Sequence, residues 1–435
     1  MAGGMWKEQD KVRPGAYVNV TTNDLVKQLD TVKGVVALPI ELDFGPEKQV
    51  MAIKAEDDLL VWGYDLTQPQ LILVKEALKR AKVVLLYRVN TGGKATITTG
   101  TSLAMTATTG GIRGNDIQVT AKASVNQSGF YEVTTFLAGR KVEQQTVKTV
   151  AELKANKLVE FTGEGALTAF SVELAGGTTS AATGQDYADF FKEIQLFSFD
   201  AMALPVKDEA IKAAGAAFMK RLREEEGKKS QVVVAGYNAD HEAVINVKNG
   251  VVLADGTTLT AEQATAWVAG ASAGAGVAQS LTYAKYEEAV TVTQRFLNSE
   301  VITALQNGEF IFTEKRGEVV VEQDINSLHS FTSEKGSLFA KNRVLRILDD
   351  IANSAKETFE DIFLGKITTD QDGLELFKAN RIAYFDALQA AGAITNFKAE
   401  DITVATGELR DAVVLDVAVQ PVDAMEKLYM TVQVV

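Results

Sequence analysis

Two histidines, no cysteine and one G-x-S-x-G pattern are the main material for a catalytic reading of this 435-residue chain. The pattern is Gly270, Ala271, Ser272, Ala273, Gly274, the spacing of a nucleophile elbow, where a strand-to-helix turn exposes the serine. Asp324 and His329 follow in the chain order of an α/β-hydrolase, and the subtilisin order threads as Asp200, His241, Ser272. Context opposes both. AEQATAWVA before Gly270 predicts a helix where the elbow needs a strand, and a run of Gly and Ala also suits a small-residue loop or close helix packing. Neither histidine sits in an HExxH or comparable spacing, and without cysteine there is no thiolate ligand, disulfide or thiol nucleophile. TTGGIRGN lacks the Lys and Ser/Thr of a phosphate loop, and GAGVAQ breaks the dinucleotide fingerprint at Gln279. DQDG at 370–373 places Leu374 where a calcium loop needs a ligand, so it reads as a helix cap, and REEEGKK reads as a solvated helix end with its turn. The sequence therefore predicts no catalytic residue, no cofactor and no metal, with a serine hydrolase at Ser272 as the minor alternative.

The elements around these residues predict a multidomain α/β and α+β chain. KVRPGAYVNV near the start reads as an extended arm, residues 1–25, whose Pro14 suits a sheet edge. Residues 26–92 read as an α/β region: the apolar run GVVALPIEL, a helix from Gln68 to Lys79 and the strand KVVLLYRV. Residues 93–179 turn rich in Thr and Gly, and DIQVTAKASV, YEVTTFLAG, VEFTG and FSVELAGG predict an inserted β-sandwich or barrel. Gly92 with Gly93 and Gly176 with Gly177 at its borders predict a hinge.

Residues 180–331 alternate strand and helix, as an α/β sheet requires, and FIFTEKRGEVVVEQ closes them as a hairpin. Residues 332–435 read as α+β. Leu345, Leu348, Ala352, Ala355, Phe359 and Ile362 mark an amphipathic helix ending at Gly365, followed by a second helix and the strands DITV and VVLDVAV.

The last segment, EKLYMTVQVV, alternates Leu428, Met430, Val432 and Val434 with Tyr429, Thr431 and Gln433, the period of a half-buried strand. Val12, Val18 and Val20 form a similar stripe in the first arm. Free strand edges are templates for pairing with other chains, so two such arms predict strand exchange between copies. The net charge of −13 opposes a role on nucleic-acid backbone and supplies repulsion that shape and apolar contact must overcome. No apolar run approaches the ~20 residues of a membrane span, and the N-terminus lacks a signal-peptide core, which predicts retention in the cytoplasm where it is made.

KVRPGAYVNV, GNDIQV and the stretch from RVLRILDDIANSAKETFEDIFLGK through LQAAGAITNF to VQPVDAMEKLYMTVQVV resemble the contractile tail sheath proteins of phages and prophage-derived particles of Gram-positive hosts. The resemblance covers essentially the whole chain and is most specific in its C-terminal third. It implies a subtilisin-like fold without protease function for 180–331, and linking strands containing Val12, Val18 and Val20 at one end and Leu428, Met430, Val432 and Val434 at the other. It further implies a helical homo-oligomer around a tail tube protein, with baseplate and tail terminator proteins as partners and no direct contact with nucleic acid or membrane. Assembly into a virion tail or tail-like particle would follow synthesis in the bacterial host. GKITTD departs from the family by carrying Thr368 and Thr369 where relatives often have asparagine. A non-contracting tail structural protein is the nearest alternative.

Overall fold

A computed structural model describes residues 33–99, 103–333 and 335–434, together with the backbone of Ala2–Gly4 and Gly15–Tyr17, which pair as short parallel strands. Among the described residues the α-helices are α1 (Ile72–Leu78), α2 (Gly184–Ile194), α3 (Glu209–Glu224), α4 (Ala261–Gly274), α5 (Asn298–Gln306), α6 (Asn342–Thr358) and α7 (Gln371–Ala390).

The centre of the molecule is a seven-stranded sheet, and its order joins segments far apart in sequence. From one edge the strands are Glu309–Phe310, Val244–Val247, Gln231–Ala235, Ala201–Ala203, Val35–Ile40, Val83–Arg88 and Val50–Ile53, all parallel except the last. The regions 26–92 and 180–331, read separately in the sequence, thus share one sheet through the pairing of Ala201 with Val36. Side-chain alternation gives it two buried faces. Val36, Leu38, Val84, Val233 and Ile245 meet α1 and α4, whereas Ala37, Leu85, Met202, Val232 and Val244 meet α2 and α3. Strands covered on both faces read as continuous apolar runs, which explains GVVALPIEL and QVVVAG.

The insertion is a β-sandwich. One sheet runs Arg140–Val147, Tyr131–Leu137, Ile117–Ala123, Phe170–Glu173, and the other runs Val159–Thr162, Ala104–Ala107, Thr96–Thr98, with Val119, Val133, Met105 and Val159 in the core between them. Of the border glycines expected to form a hinge, Gly92, Gly93 and Gly177 sit in close contacts, whereas Gly176, at φ +81°, has open space around it. A Cβ on Gly92 would lie 2.1 Å from the Thr178 carbonyl, and one on Gly111, at φ +135°, 1.8 Å from that of Asp43. Backbones cross there at contact distance, so glycine serves close approach. Arg88 reinforces the crossing by donating through Nη1 to the carbonyls of Gly45 (2.9 Å) and Gly110 (2.8 Å). Asn90 spans the junction, bonding both backbone groups of Leu42 and the carbonyl of Ser180.

In the C-terminal region α6 ends in a π-helical turn, Phe359–Phe363, and the chain reverses at Gly365 with φ +69°. Asp370 caps α7 by accepting from the Gly373 N–H at 2.9 Å, as DQDG predicts. The buried face of α6 is rotated from the expected stripe. Ile347 and the half-buried Ile351 pack with Ile382, Phe385 and Leu388 of α7, and of the expected stripe Leu345 is buried while Leu348, Ala352 and Ala355 are only half-buried.

Candidate assembly interface

Ser272 lies inside α4, in its last turn, and is 6% exposed. Its hydroxyl points to Gln231 Oε1 at 3.5 Å. The flanking glycines are explained by packing, since a Cβ on Gly270 would sit 2.3 Å from the Ala77 carbonyl and one on Gly274 2.1 Å from that of Arg80. G-x-S-x-G here is the seam between α4 and the C-terminal end of α1.

The proposed partners of Ser272 are engaged elsewhere. Asp324 accepts from Leu281 N–H (2.9 Å), Asn342 Nδ2 (3.0 Å) and Arg346 Nη2 (2.6 Å). His329 N–H donates to Asp240 at 2.8 Å, and His241 Nδ1 accepts from Ala243 N–H at 3.0 Å in its own turn. Asp200 and Ser272 both line a cleft of about 100 Å³, but His241 does not. Asp200 accepts from the N–H groups of Gly34 and Val35, and burial pushes its carboxyl up. The hydrolase geometry is therefore absent. Among the described residues no His, Asp and Glu group could hold a metal, and no helix is long and apolar enough to cross a membrane.

The opposite wall of that cleft is α6, whose polar face docks on the central domain. Arg223 donates through both Nη atoms to Asp349 at 2.7 Å, Asn353 brackets the backbone of Lys229 at 2.9 and 3.0 Å, and Lys356 reaches the Glu226 carbonyl at 2.6 Å. This corrects the reading of REEEGKK as solvated: Glu225 is exposed, but Arg223 is 5% exposed and paired. The missed signal is a polar stripe at Arg346, Asp349, Asp350, Asn353 and Lys356, three or four residues apart along most of its length.

Beyond this body the chain presents strand-forming groups that find no partner in it. Ile402–Thr406 and Val413–Val417 form an antiparallel hairpin on α7, each strand pairing only with the other among the described residues. Val413, Leu415 and Val417 are half-buried while Val414 is 45% exposed. Residues 422–434 form no strand, which differs from the strand expected over EKLYMTVQVV. Leu428, Met430, Val432 and Val434 are exposed by 72–97%. A strand needs a neighbour for its N–H and C=O groups, and the described residues supply none to the segment. Val12, Val18 and Val20 lie outside the described residues.

The root of the segment, in contrast, is held. Val422 N–H donates to the Ala393 carbonyl at 2.9 Å and its own carbonyl accepts from Arg343. Glu426 accepts from Thr282 Oγ1 (2.8 Å), Gln323 Nε2 (2.6 Å) and Lys341 Nζ. Burial pushes the Glu426 carboxyl up, but these hydrogen bonds outweigh it and leave the group below the usual carboxylate range.

Four family models match consecutive parts of the chain: the tail sheath domain III N-terminal region over 33–89, the phage tail sheath β-sandwich domain over 90–182, the central domain over 180–327 and the phage tail sheath C-terminal domain over 334–435. The phage-like element PBSX protein XkdK of Bacillus subtilis is 40% identical, with each chain covered in full. The chain belongs to the phage tail sheath family. The crystal structure of a sheath tail protein from Desulfitobacterium hafniense is similar to this sheath chain at TM-score 0.86 and 46% identity, covering 96% of this chain and 99% of that one. A second sheath tail protein, from Listeria innocua, matches at TM-score 0.83 and 40% identity over 92% and 94%. The helical sheath of the anti-feeding prophage in its contracted state shares the fold at 12% identity and TM-score 0.58, covering 97% and 98%.

Proposed function

We propose that this sheath subunit polymerises helically around a tail tube and contracts to drive the tube through a cell envelope, acting mechanically and without catalysis. The observation that carries the reading is the exposed, alternating segment 428–434 on a body that also offers a two-stranded hairpin whose outer edges pair with no other strand among the described residues. A strand from one copy added to the hairpin of another satisfies both sets of backbone groups and covers the apolar stripe. Each buried Val, Leu or Met contributes about 1.5–3 kcal/mol before entropy costs, and each net hydrogen bond about 0.5–1.5 kcal/mol. A few such contacts per copy outweigh modest charge repulsion. The N-terminal arm, with Val12, Val18 and Val20, serves as the second link.

Contraction is then a rigid-body rearrangement of bodies tied by flexible links. A preference of a few kcal/mol per subunit for the contracted lattice suffices, because coupled copies switch together, and no nucleotide is needed when the energy is stored at assembly. The tube protein, baseplate and tail terminator proteins are the partners this role requires, and assembly follows synthesis in the bacterial cytoplasm.

The test is electron microscopy of the full-length chain, with and without a tail tube, against a chain truncated after Glu426. Striated cylinders from the full chain and folded monomers from the truncation are expected. Normal cylinders from the truncation would remove strand donation by 427–434. On the same grids Val432→Asp should raise the concentration needed for assembly far more than Gln433→Asp, since alternate residues face opposite sides of a strand. Equal effects would mean that the apolar stripe is not the buried face.

A further inference from the structure

We infer that Thr282, Gln323 and Lys341 form a carboxylate socket occupied by Glu426 of the same chain. The socket divides the C-terminal segment into a part kept by its own subunit, through Glu426, and a part delivered to a neighbour, 427–434. The second half of this inference rests on the strand-donation reading above.

The socket draws one donor from each of three separate stretches. Thr282 follows α4, Gln323 follows the hairpin strand Glu318–Val321, and Lys341 is the N-cap of α6. Their donors converge on both Glu426 oxygens. Thr282 Oγ1 already accepts the Asp324 N–H at 3.1 Å, so its own hydrogen is free to point to Glu426. Asp423, the nearby alternative partner of Lys341, is farther away at 3.8 Å. The Glu426 side chain is 10% exposed between an exposed Met425 and Lys427, and from Lys427 on every described residue is exposed.

Helix α6 also contacts the first residue of the continuous described body. Asp350 pairs with Lys33, where the described body begins, and accepts from Tyr384 Oη at 2.6 Å. Lys341 and Asp350 are separated by about 14 Å of helix. Lys33 and Glu426 thus contact the same helix, which Arg223 fastens to the central sheet layer through Asp349. Pull on the C-terminal segment at Glu426 passes through Lys341 into α6 and that layer instead of peeling the hairpin 402–417.

Because the chain has no cysteine, paired spin labels can be placed cleanly on the soluble full-length protein. Met425→Cys with Arg316→Cys reports the socket side, and Val432→Cys with Arg316→Cys reports the free side. All three positions are exposed. The distance distribution of the 425 pair should be narrow and that of the 432 pair broad. Glu426→Ala, at a position outside the hydrophobic clusters, should broaden the 425 pair to the width of the 432 pair, and the swap Glu426→Lys with Lys341→Glu should narrow it again. A 425 pair that is broad in the parent, or unmoved by Glu426→Ala, overturns the socket whatever the polymer does. Expected widths without tube-templated polymer formation would support the anchor and overturn delivery to a neighbour, and with it the strand-donation reading.

Discussion

The Arg223 guanidinium, at the end of α3, meets the Asp349 carboxylate of α6 through two hydrogen bonds of 2.7 Å, and this pair bolts the C-terminal region to the central sheet. Burial pushes the Asp349 carboxyl up while the Arg223 charge opposes it, and the two-pronged geometry is that of an ion pair. Removing one partner strands the other in a buried site. Asp349→Ala should therefore lower unfolding stability by about 3–5 kcal/mol. Urea unfolding measures this, and a loss under about 1 kcal/mol would show that water takes over the role of Asp349.

The seam between α1 and α4 separates packing from chemistry at the G-x-S-x-G pattern. Gly270→Ala places a methyl against the Ala77 carbonyl and should cost about 1–3 kcal/mol of stability. Ser272→Ala gives up one long hydrogen bond and should change stability by under about 1 kcal/mol. An active-site fluorophosphonate should leave the parent chain unlabelled. Labelling at Ser272 would require an opening of α4 that this packing forbids.

Asn90 ties the β-sandwich to the sheet. Asn90→Ala removes bonds to Leu42 and Ser180 at once and leaves buried backbone groups unpaired, at a cost of about 2–3 kcal/mol. Calorimetry should show the β-sandwich separating as its own transition. A single transition at lower temperature would mean that the glycine crossing alone keeps the two parts coupled.

Asp240 predicts acid sensitivity. Burial pushes its carboxyl up, but the N–H groups of His329 and Ser330 pull it further down, from 3.8 to about 2. A depressed folded value stabilises above the unfolded one and is lost as pH falls through the folded one. Stability should thus decline between about pH 4 and pH 2. Asp240→Asn should flatten this component, as read from urea unfolding at pH 5, 4 and 3. An unchanged slope would assign the acid sensitivity to other carboxylates.

What the sequence determined by itself is whatever depends on near neighbours along the chain. The helical period of AEQATAWVA already argued against a nucleophile elbow, and Asp370 announced the start of α7. Tertiary structure decided what depends on who meets whom. Nothing local pairs Ala201 with Val36, makes Arg223 a buried ion-pair partner inside a charge run, or rotates the buried face of α6 toward Ile347 and Ile351. Gly92 and Gly177 illustrate the physical reason. Glycine satisfies freedom and close approach equally well, and only the Thr178 and Gly111 carbonyls standing against Gly92 and Gly177 decide between them.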